Sequence, residues 1–380
     1  MIKYAVCFIV FFVFMIFSSC KNKTTESGGE CIHINFDESL EKHISLSDIA
    51  DSLKFTFLQY DEANLVGEIL NYKITDNYIL LVDQQQKLFV FKRDGKLLTV
   101  IDGKGKGKGP SEYVNIEDFL VDSAEKSIII LDPRNGKVIK YDIEGNYLSS
   151  YSMEYNHAAH IGALDDGGYC VYQSARFSKS NSNIFLTDDS FKTTDSIKDR
   201  GDGDLLKKIP YLLDAQWYCN ENSILFKEAL VDTVYKVTNT DKARLQPHIF
   251  LDYGDRKIPQ DYYTNTQYYQ KRAHRFYQVG KITESQQYVF LMMIHENSRK
   301  YYLFHKKGEH QFLYLGKNGL KDDSLVDLEF WPEYIHGNTV STFIGAGELY
   351  GKLDDSEKAK GITKILETND NPVLITFELM

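Results

Sequence analysis

The sequence predicts an all-β protein: a six-bladed β-propeller of four-stranded antiparallel blades, closed by N- and C-terminal strands in one blade. Three observations carry the prediction. One unit is written twice, as GEILNYKITDNYILLVDQQQKLFVFKRDGKLLTVI from Gly67 to Ile101 and as NIEDFLVDSAEKSIIILDPRNGKVIKYDIEGNYLSSY from Asn115 to Tyr151. Asp83 aligns with Asp132, and the Asp94-Gly95 turn aligns with Glu144-Gly145, which sets a period of 49 to 50 residues and matches a propeller blade. Each copy holds four short apolar runs, rich in β-branched and aromatic residues and separated by turn residues, a composition that favours strands over helix. A single four-stranded sheet cannot bury both of its faces, so such copies stack around an axis.

The elements follow in chain order. Residues 1–19 read as a lipoprotein signal peptide, with Lys3 as its charge and Tyr4 to Phe17 as an uncharged run of 14 residues, short of the roughly 20 that a membrane-crossing helix needs. Phe17-Ser18-Ser19-Cys20 resembles a lipobox, so cleavage is expected before Cys20 with diacylglycerol on its thiol. A further acyl chain on its amine would complete the two signals that stable anchoring requires. Residues 20–30 form a polar tether, and residues 31–380 form a single propeller domain.

Ile32 to Phe36 alternates as a strand does, Ser45 to Leu53 reads as a short helix capped by Ser45 or Ser47, and Phe55 to Leu58 is again strand-like. The two clear blades follow, joined by the glycine-rich stretch 103–110. His157 to Tyr172 and Asn183 to Ile197 supply a third blade, Tyr211 to Phe250 a fourth and Phe276 to Leu315 a fifth, with a helix inserted near 260–275. Phe330 to Ile344 and Val373 to Phe377 give three strands of a sixth, around a charged helix near 352–367, and the strands ahead of Gly67 supply its fourth. Sharing that blade between the chain ends removes exposed edges.

Composition narrows the partners. The chain has 380 residues, 43% hydrophobic and 26% charged, with a formal net charge of −10; such a surface repels phosphate backbones, and no nucleic-acid partner is expected. Beyond Cys7 and Cys20 only Cys31, Cys170 and Cys219 remain, too few and too widely spaced for a disulfide framework or a zinc pattern. The 26 Tyr and 23 Phe are expected to fill and flank strands.

On particular stretches the chain resembles a known family, the six-bladed, NHL-like β-propeller lipoproteins common in Bacteroides-type gut bacteria. The matching features are Ser45-Leu46-Ser47-Asp48-Ile49, Val66-Gly67-Glu68-Ile69, Gly107-Lys108-Gly109-Pro110-Ser111-Glu112-Tyr113, Asp232-Thr233-Val234-Tyr235, Tyr253-Gly254-Asp255-Arg256-Lys257-Ile258-Pro259 and Asn371-Pro372-Val373-Leu374-Ile375. They span nearly the whole chain after the leader. The resemblance implies the propeller fold and a cell-envelope address, as an outer-membrane lipoprotein on the periplasmic or surface face, and it carries no catalytic residues across. Ser111 stands where the family usually has Gly.

Few motifs carry chemistry. GKGKGKGP over 103–110 fails as a phosphate loop, because Gly109-Pro110 follow Lys108 where Ser or Thr should stand and a strand follows in place of a helix. Lys108, Glu112, Tyr113 and Asp118 are the candidate ligand-binding residues, since they lead into an innermost strand that lines the channel. Against this stands the plainer reading of Glu112 and Tyr113 as pins between blades. Asp83 and Asp132 recur at blade turns, which favours a turn role. His157 and His160 would share a face only on a helix, and no metal site or cofactor is expected. Trp217 and Trp331 fall near strand starts, where packing is the first expectation.

Two functions are therefore carried forward. The first is a lipid-anchored, non-catalytic binding or scaffold module for a glycan, peptide or protein. The second is a metal-dependent, lactonase-like hydrolase with its site at the central channel.

Overall fold

Six small antiparallel sheets form a ring around a central channel. The structure, a computed structural model, describes residues 31–380 apart from 43, 52, 60–61, 106–107, 123, 156, 165–166, 175–181, 199–214, 221–222, 229–230, 240–243, 260, 263–264, 266, 268–270, 307–311, 323–327, 354–356 and 367–369. The chain opens with three short strands, β1 (Ile32–Asn35), β2 (Leu40–Glu41) and β3 (Lys54–Phe57). Blade 1 then runs from the axis outwards as β4 (Ile69–Ile74), β5 (Tyr78–Asp83), β6 (Leu88–Lys92) and β7 (Leu97–Ile101). Blade 2 repeats it as β8 (Asp118–Val121), β9 (Ser127–Asp132), β10 (Lys137–Asp142) and β11 (Tyr147–Ser152).

The residues that define the repeat do the same work in both blades. Gly95 and Gly145 turn the outer hairpins with φ of 86° and 88°, a conformation that glycine adopts without a Cβ penalty. The Asp83 carboxylate accepts hydrogen bonds from the Gln85 and Lys87 amides at 2.9 and 3.0 Å and from the Gly67 amide at 3.3 Å. Asp132 reaches the corresponding Val114 amide at 2.8 Å. Each aspartate thus ties the second strand to the segment that enters the first.

Blade 3 holds β12 (Ala158–Ala163), β13 (Tyr169–Gln173), β14 (Ser182–Thr187) and β15 (Thr193–Lys198). Blade 4 holds β16 (Gln216–Asn220), β17 (Ser223–Lys227), β18 (Thr233–Thr238) and β19 (Arg244–Asp252), and blade 5 holds β20 (Gln278–Glu284), β21 (Tyr288–His295), β22 (Ser298–His305) and β23 (Phe312–Tyr314). A two-stranded ladder of β24 (Leu320–Lys321) and β25 (Glu329–Phe330) leads to blade 6. That blade contains β26 (Tyr334–His336), β27 (Thr339–Ile344) and, after helices α1 (Ala346–Tyr350) and α2 (Glu357–Leu366), β28 (Val373–Glu378). As expected, its fourth strand comes from the start of the chain: β3 pairs antiparallel with β28, Phe57 opposite Val373.

The other two N-terminal strands go elsewhere. β1 adds in parallel to β19 as a fifth strand of blade 4, and β2 adds in parallel to β23 as a fifth strand of blade 5. Residues 32–57 therefore join three consecutive blades. Phe36, 1% exposed, plugs the junction between blades 4 and 5 against the rings of Tyr253, Tyr277, Tyr302 and Phe312 at 5.1 to 5.3 Å.

The core lies between blades. Each of the six junctions has its own cluster of buried apolar side chains. Each fully buried Leu, Ile or Phe contributes about 1.5–3 kcal/mol, so the ring is held chiefly by face-to-face packing of its sheets.

One helix expectation needs correction and one lies partly outside the described residues. Ser45 to Leu53 is no helix but a single 3-10 turn, Leu46–Asp48, whose Asp48 carboxylate accepts from the Ser45 amide at 2.9 Å. The turn ends because Ile49, Ala50 and Leu53 are drawn into the blade 5–6 cluster. Before the charged helix stands α1, which the sequence reading lacked. α2 itself matches the expectation: it carries Gly361 internally and buries Ile362 and Leu366 in the same cluster. Of the insertion at 260–275, the described part is helical at 261–262, 267 and 271–272 and forms a 3-10 turn at Ala273–Arg275. No described helix is long and apolar enough to cross a membrane.

Candidate functional site: the axial channel

The innermost strands β4, β8, β12, β16, β20 and β26 wall a channel of about 1240 Å³. Their registers define equivalent places. The first hairpin of each blade is opened by Thr75, Asp122, Leu164, Asn220, Ser285 and His336 in turn. Counting back four residues gives Asn71, Asp118, His160, Gln216, Lys281 and Pro332. The first five of these line the channel, so five blades present a polar side chain at one level of its wall. Counting back two gives Lys73, Leu120, Gly162, Tyr218, Thr283 and Tyr334, which all line the channel too.

Asp118 is the hub of one side. Its side chain is 4% exposed and lies 3.3 Å from Lys73 Nζ and 3.6 Å from His160 Nδ1. It accepts hydrogen bonds from Asn71 Nδ2 at 3.1 Å, from its neighbour's amide at Phe119 at 2.8 Å and from the Ile161 amide at 3.1 Å. Burial works to raise the Asp118 carboxyl, but the Lys73 ammonium and the His160 and Ile161 donors outweigh it and hold the group well below the usual carboxylate range. Burial likewise works against the Lys73 ammonium, and Asp118 more than compensates, so the lysine is raised. Residues of three blades thus meet on one carboxylate.

The wall continues through aromatic rings. His160 stacks on Trp217 with centroids 5.9 Å apart and planes 9° apart. Tyr334 meets Tyr72, whose hydroxyl donates to the Ser341 carbonyl at 3.0 Å. Cys219 is open to channel water yet hemmed in by protein; burial pushes its thiol up, leaving it protonated at neutral pH. At the blade 4–5 junction Glu284, 1% exposed at its side chain, accepts from Tyr218 at 3.3 Å and pairs with His248 at 2.9 Å and with Lys306. Burial favours the neutral acid there, and His248 and Lys306 overcome it to lower the Glu284 carboxyl.

Lys281 differs from these. It lines the channel, and while its backbone pairs with Met292 its ammonium makes no hydrogen bond or ion pair among the described residues. Burial lowers its ammonium, with the Glu333 carboxylate opposing.

The sequence-predicted residues separate into two groups. Asp118 lies in the channel. Tyr113 is fully buried beside the blade 1–2 joint, where its hydroxyl accepts from the Gly103 amide at 3.1 Å and faces the Gln86 and Ile101 carbonyls at 2.7 and 3.0 Å. Glu112 caps its own loop, accepting from the Lys108 and Gly109 amides at 3.1 and 3.3 Å, and Lys108 is exposed. The channel brings in Lys73, His160, Trp217, Tyr334 and Lys281, which the sequence reading did not group. The 49–50-residue period does not find them, since Asn71, Asp118 and His160 hold equivalent places 47 and 42 residues apart, behind hairpin loops of unequal length. Trp331 packs in the core against Phe290 and Tyr301, whereas Trp217 lines the channel. His157 stands in a turn at φ 73°, apart from the channel-lining His160. Among the described residues no three His, Cys, Asp or Glu side chains gather closely enough to hold a metal ion. Cys20 lies outside the described residues.

Residues 31–378 match a domain of unknown function, DUF4934. No curated protein matches the chain. Among solved structures, the chain is similar to a Bacteroides fragilis protein named as exported, at 17% identity and a TM-score of 0.69, covering 90% of this chain and 99% of that one. It is also similar to a DUF4221 family member from Bacteroides vulgatus, at 9% identity and a TM-score of 0.51, covering 87% and 97%. At these identities the likeness is one of fold.

Proposed function

Because this chain belongs to the DUF4934 family, whose function that description leaves open, we propose that it is an exported, lipid-anchored and non-catalytic binding module that seats its ligand in the axial channel. The observation that carries the binding role is the channel wall: side chains of equivalent register in five blades converge on one cavity. Its volume, about 1240 Å³, exceeds the roughly 300–1,000 Å³ common for small-molecule pockets and leaves room for a segment of glycan or peptide. Hydrolysis has less support, because Cys219 is held protonated and the described carboxylates and histidines form no metal-ligand group.

The address rests on the leader, on Ser18-Ser19-Cys20 and on the exported B. fragilis protein of similar fold. Anchoring is tested by detergent-phase partition of the wild type and of Cys20→Ser expressed in a Bacteroides host; partition of both to the aqueous phase would remove lipidation from the reading. Binding is tested by thermal-shift screening of the purified protein against glycan fragments and peptides, since a ligand that binds the folded state raises its melting temperature. Ala163 is exposed and lines the channel, so Ala163→Trp adds bulk at the channel wall without disturbing the core. A ligand in the channel shifts the wild type and leaves this variant unmoved. Equal shifts in both place the ligand elsewhere and overturn the channel reading.

A further inference from the structure

We propose that the channel holds a short peptide by its free C-terminal carboxylate, with Lys281 as the pairing group. This rests on the channel being the binding site and names the chemistry of its occupant.

The argument starts from the polar level of the wall. From blade 1 to blade 4 the side chains at this level lean on the next blade: Asn71 donates to Asp118, Asp118 receives His160, and His160 stacks on Trp217. Lys281 faces blade 6, where the equivalent residue is Pro332. Proline offers no side-chain acceptor, so the Lys281 ammonium feels only the field of the neighbouring Glu333 carboxylate and makes no hydrogen bond or ion pair among the described residues. Two residues along the same strand, Thr283 lines the channel at 6% exposure, and its hydroxyl is buried and unpartnered. A half-buried cation and an unpaired hydroxyl two residues apart on one strand are the donors that a carboxylate uses. Burial of an unpaired charge is costly, and a ligand carboxylate removes that cost.

The rest of the lining selects the kind of carboxylate. Glu68, Glu117 and Glu333 each immediately precede an innermost strand, and Asp76, Asp122 and Glu125 follow the ends of β4 and β8. These six acids mark the two mouths, while the other channel lysine, Lys73, is engaged by Asp118. A polyanionic glycan meets repulsion from such mouths. A peptide carries an ammonium to the acids and sends one carboxylate inward.

The probes are a random tripeptide pool with free C-termini, the same pool amidated, and oligogalacturonate. The readouts are melting temperature and the fluorescence of Trp217 in a Trp331→Phe background. The free-acid pool should raise the melting temperature and change the Trp217 signal, and amidation should weaken the effect by roughly tenfold or more, the scale of a lost charge-assisted contact. Lys281→Met should behave as amidation does, and Lys281→Arg should retain binding. Equal response to both pools, or an unchanged response in Lys281→Met, overturns the proposal; if Ala163→Trp still abolishes that response, the channel remains the binding site. Response to oligogalacturonate alone replaces the peptide with an acidic glycan, and silence towards all three probes also overturns it.

Discussion

Replacing Asp118 by alanine tests whether the channel hub also holds the ring together. The change removes the acceptor for Asn71 Nδ2 and for the Phe119 and Ile161 amides, and it strands the Lys73 ammonium, whose side chain is 19% exposed. Breaking a buried pair by removing one partner costs about 3–5 kcal/mol. Lys73 keeps some contact with channel water, so the lower end, about 3 kcal/mol, is expected. Urea unfolding reads the loss as a lower midpoint at constant slope. The double variant Lys73→Met with Asp118→Leu should cost less than Asp118→Ala, because no charge is left behind. The pH dependence has a definite sign. The folded Asp118 carboxyl lies below its unfolded value, so its contribution is present above about pH 4 and is lost as the pH falls towards the folded value. Lys73 is raised, so its contribution is present below about pH 10.4 and is lost as the pH climbs past its folded value. Asp118→Asn should therefore flatten the acid limb of stability against pH. A loss below about 1 kcal/mol for Asp118→Ala, the scale of an exposed pair, would refute the reasoning.

Three further outcomes follow from packing. Tyr113→Phe removes the hydroxyl bridging Gly103, Gln86 and Ile101 and should cost about 1–3 kcal/mol, with faster hydrogen exchange at the Gly103 amide. Phe36→Ala empties a site bounded by four rings and should cost about 3–5 kcal/mol in urea unfolding. Gly95→Ala would place a Cβ 2.1 Å from the Phe57 carbonyl oxygen at φ 86°. It should cost well over the roughly 1–2 kcal/mol of the left-handed conformation alone, and circular dichroism melts would show it, whereas Gly167→Ala, with open space around it, should lose only that conformational amount.

How far the sequence could be read depended on where each partner lies. Blades 1 and 2 were legible because their defining residues act locally: Asp83 and Asp132 bond amides of their own blade, and Gly95 and Gly145 turn their own hairpins. The closure of blade 6 was legible by elimination, since three C-terminal strands lacked a fourth. The attachment of β1 and β2 to blades 4 and 5 was not, because a strand that adds in parallel at an edge bears no local mark of its partner more than 200 residues away. In the channel only Asp118 was named. Asn71, Asp118 and His160 meet through contacts 42 to 47 residues apart, a relation visible only once the blades are superposed.

The attachment of β1 and β2 also sets a timetable. During synthesis Ile32 to Asn35 find their partners only when Ile249 to Asp252 arrive, and Lys54 to Phe57 wait for Val373 to Thr376. Until then an unmated apolar segment trails from a half-built ring, open to other chains. Moving residues 31–58 to the far terminus by circular permutation would shorten that wait, and refolding with less aggregation would be its signature.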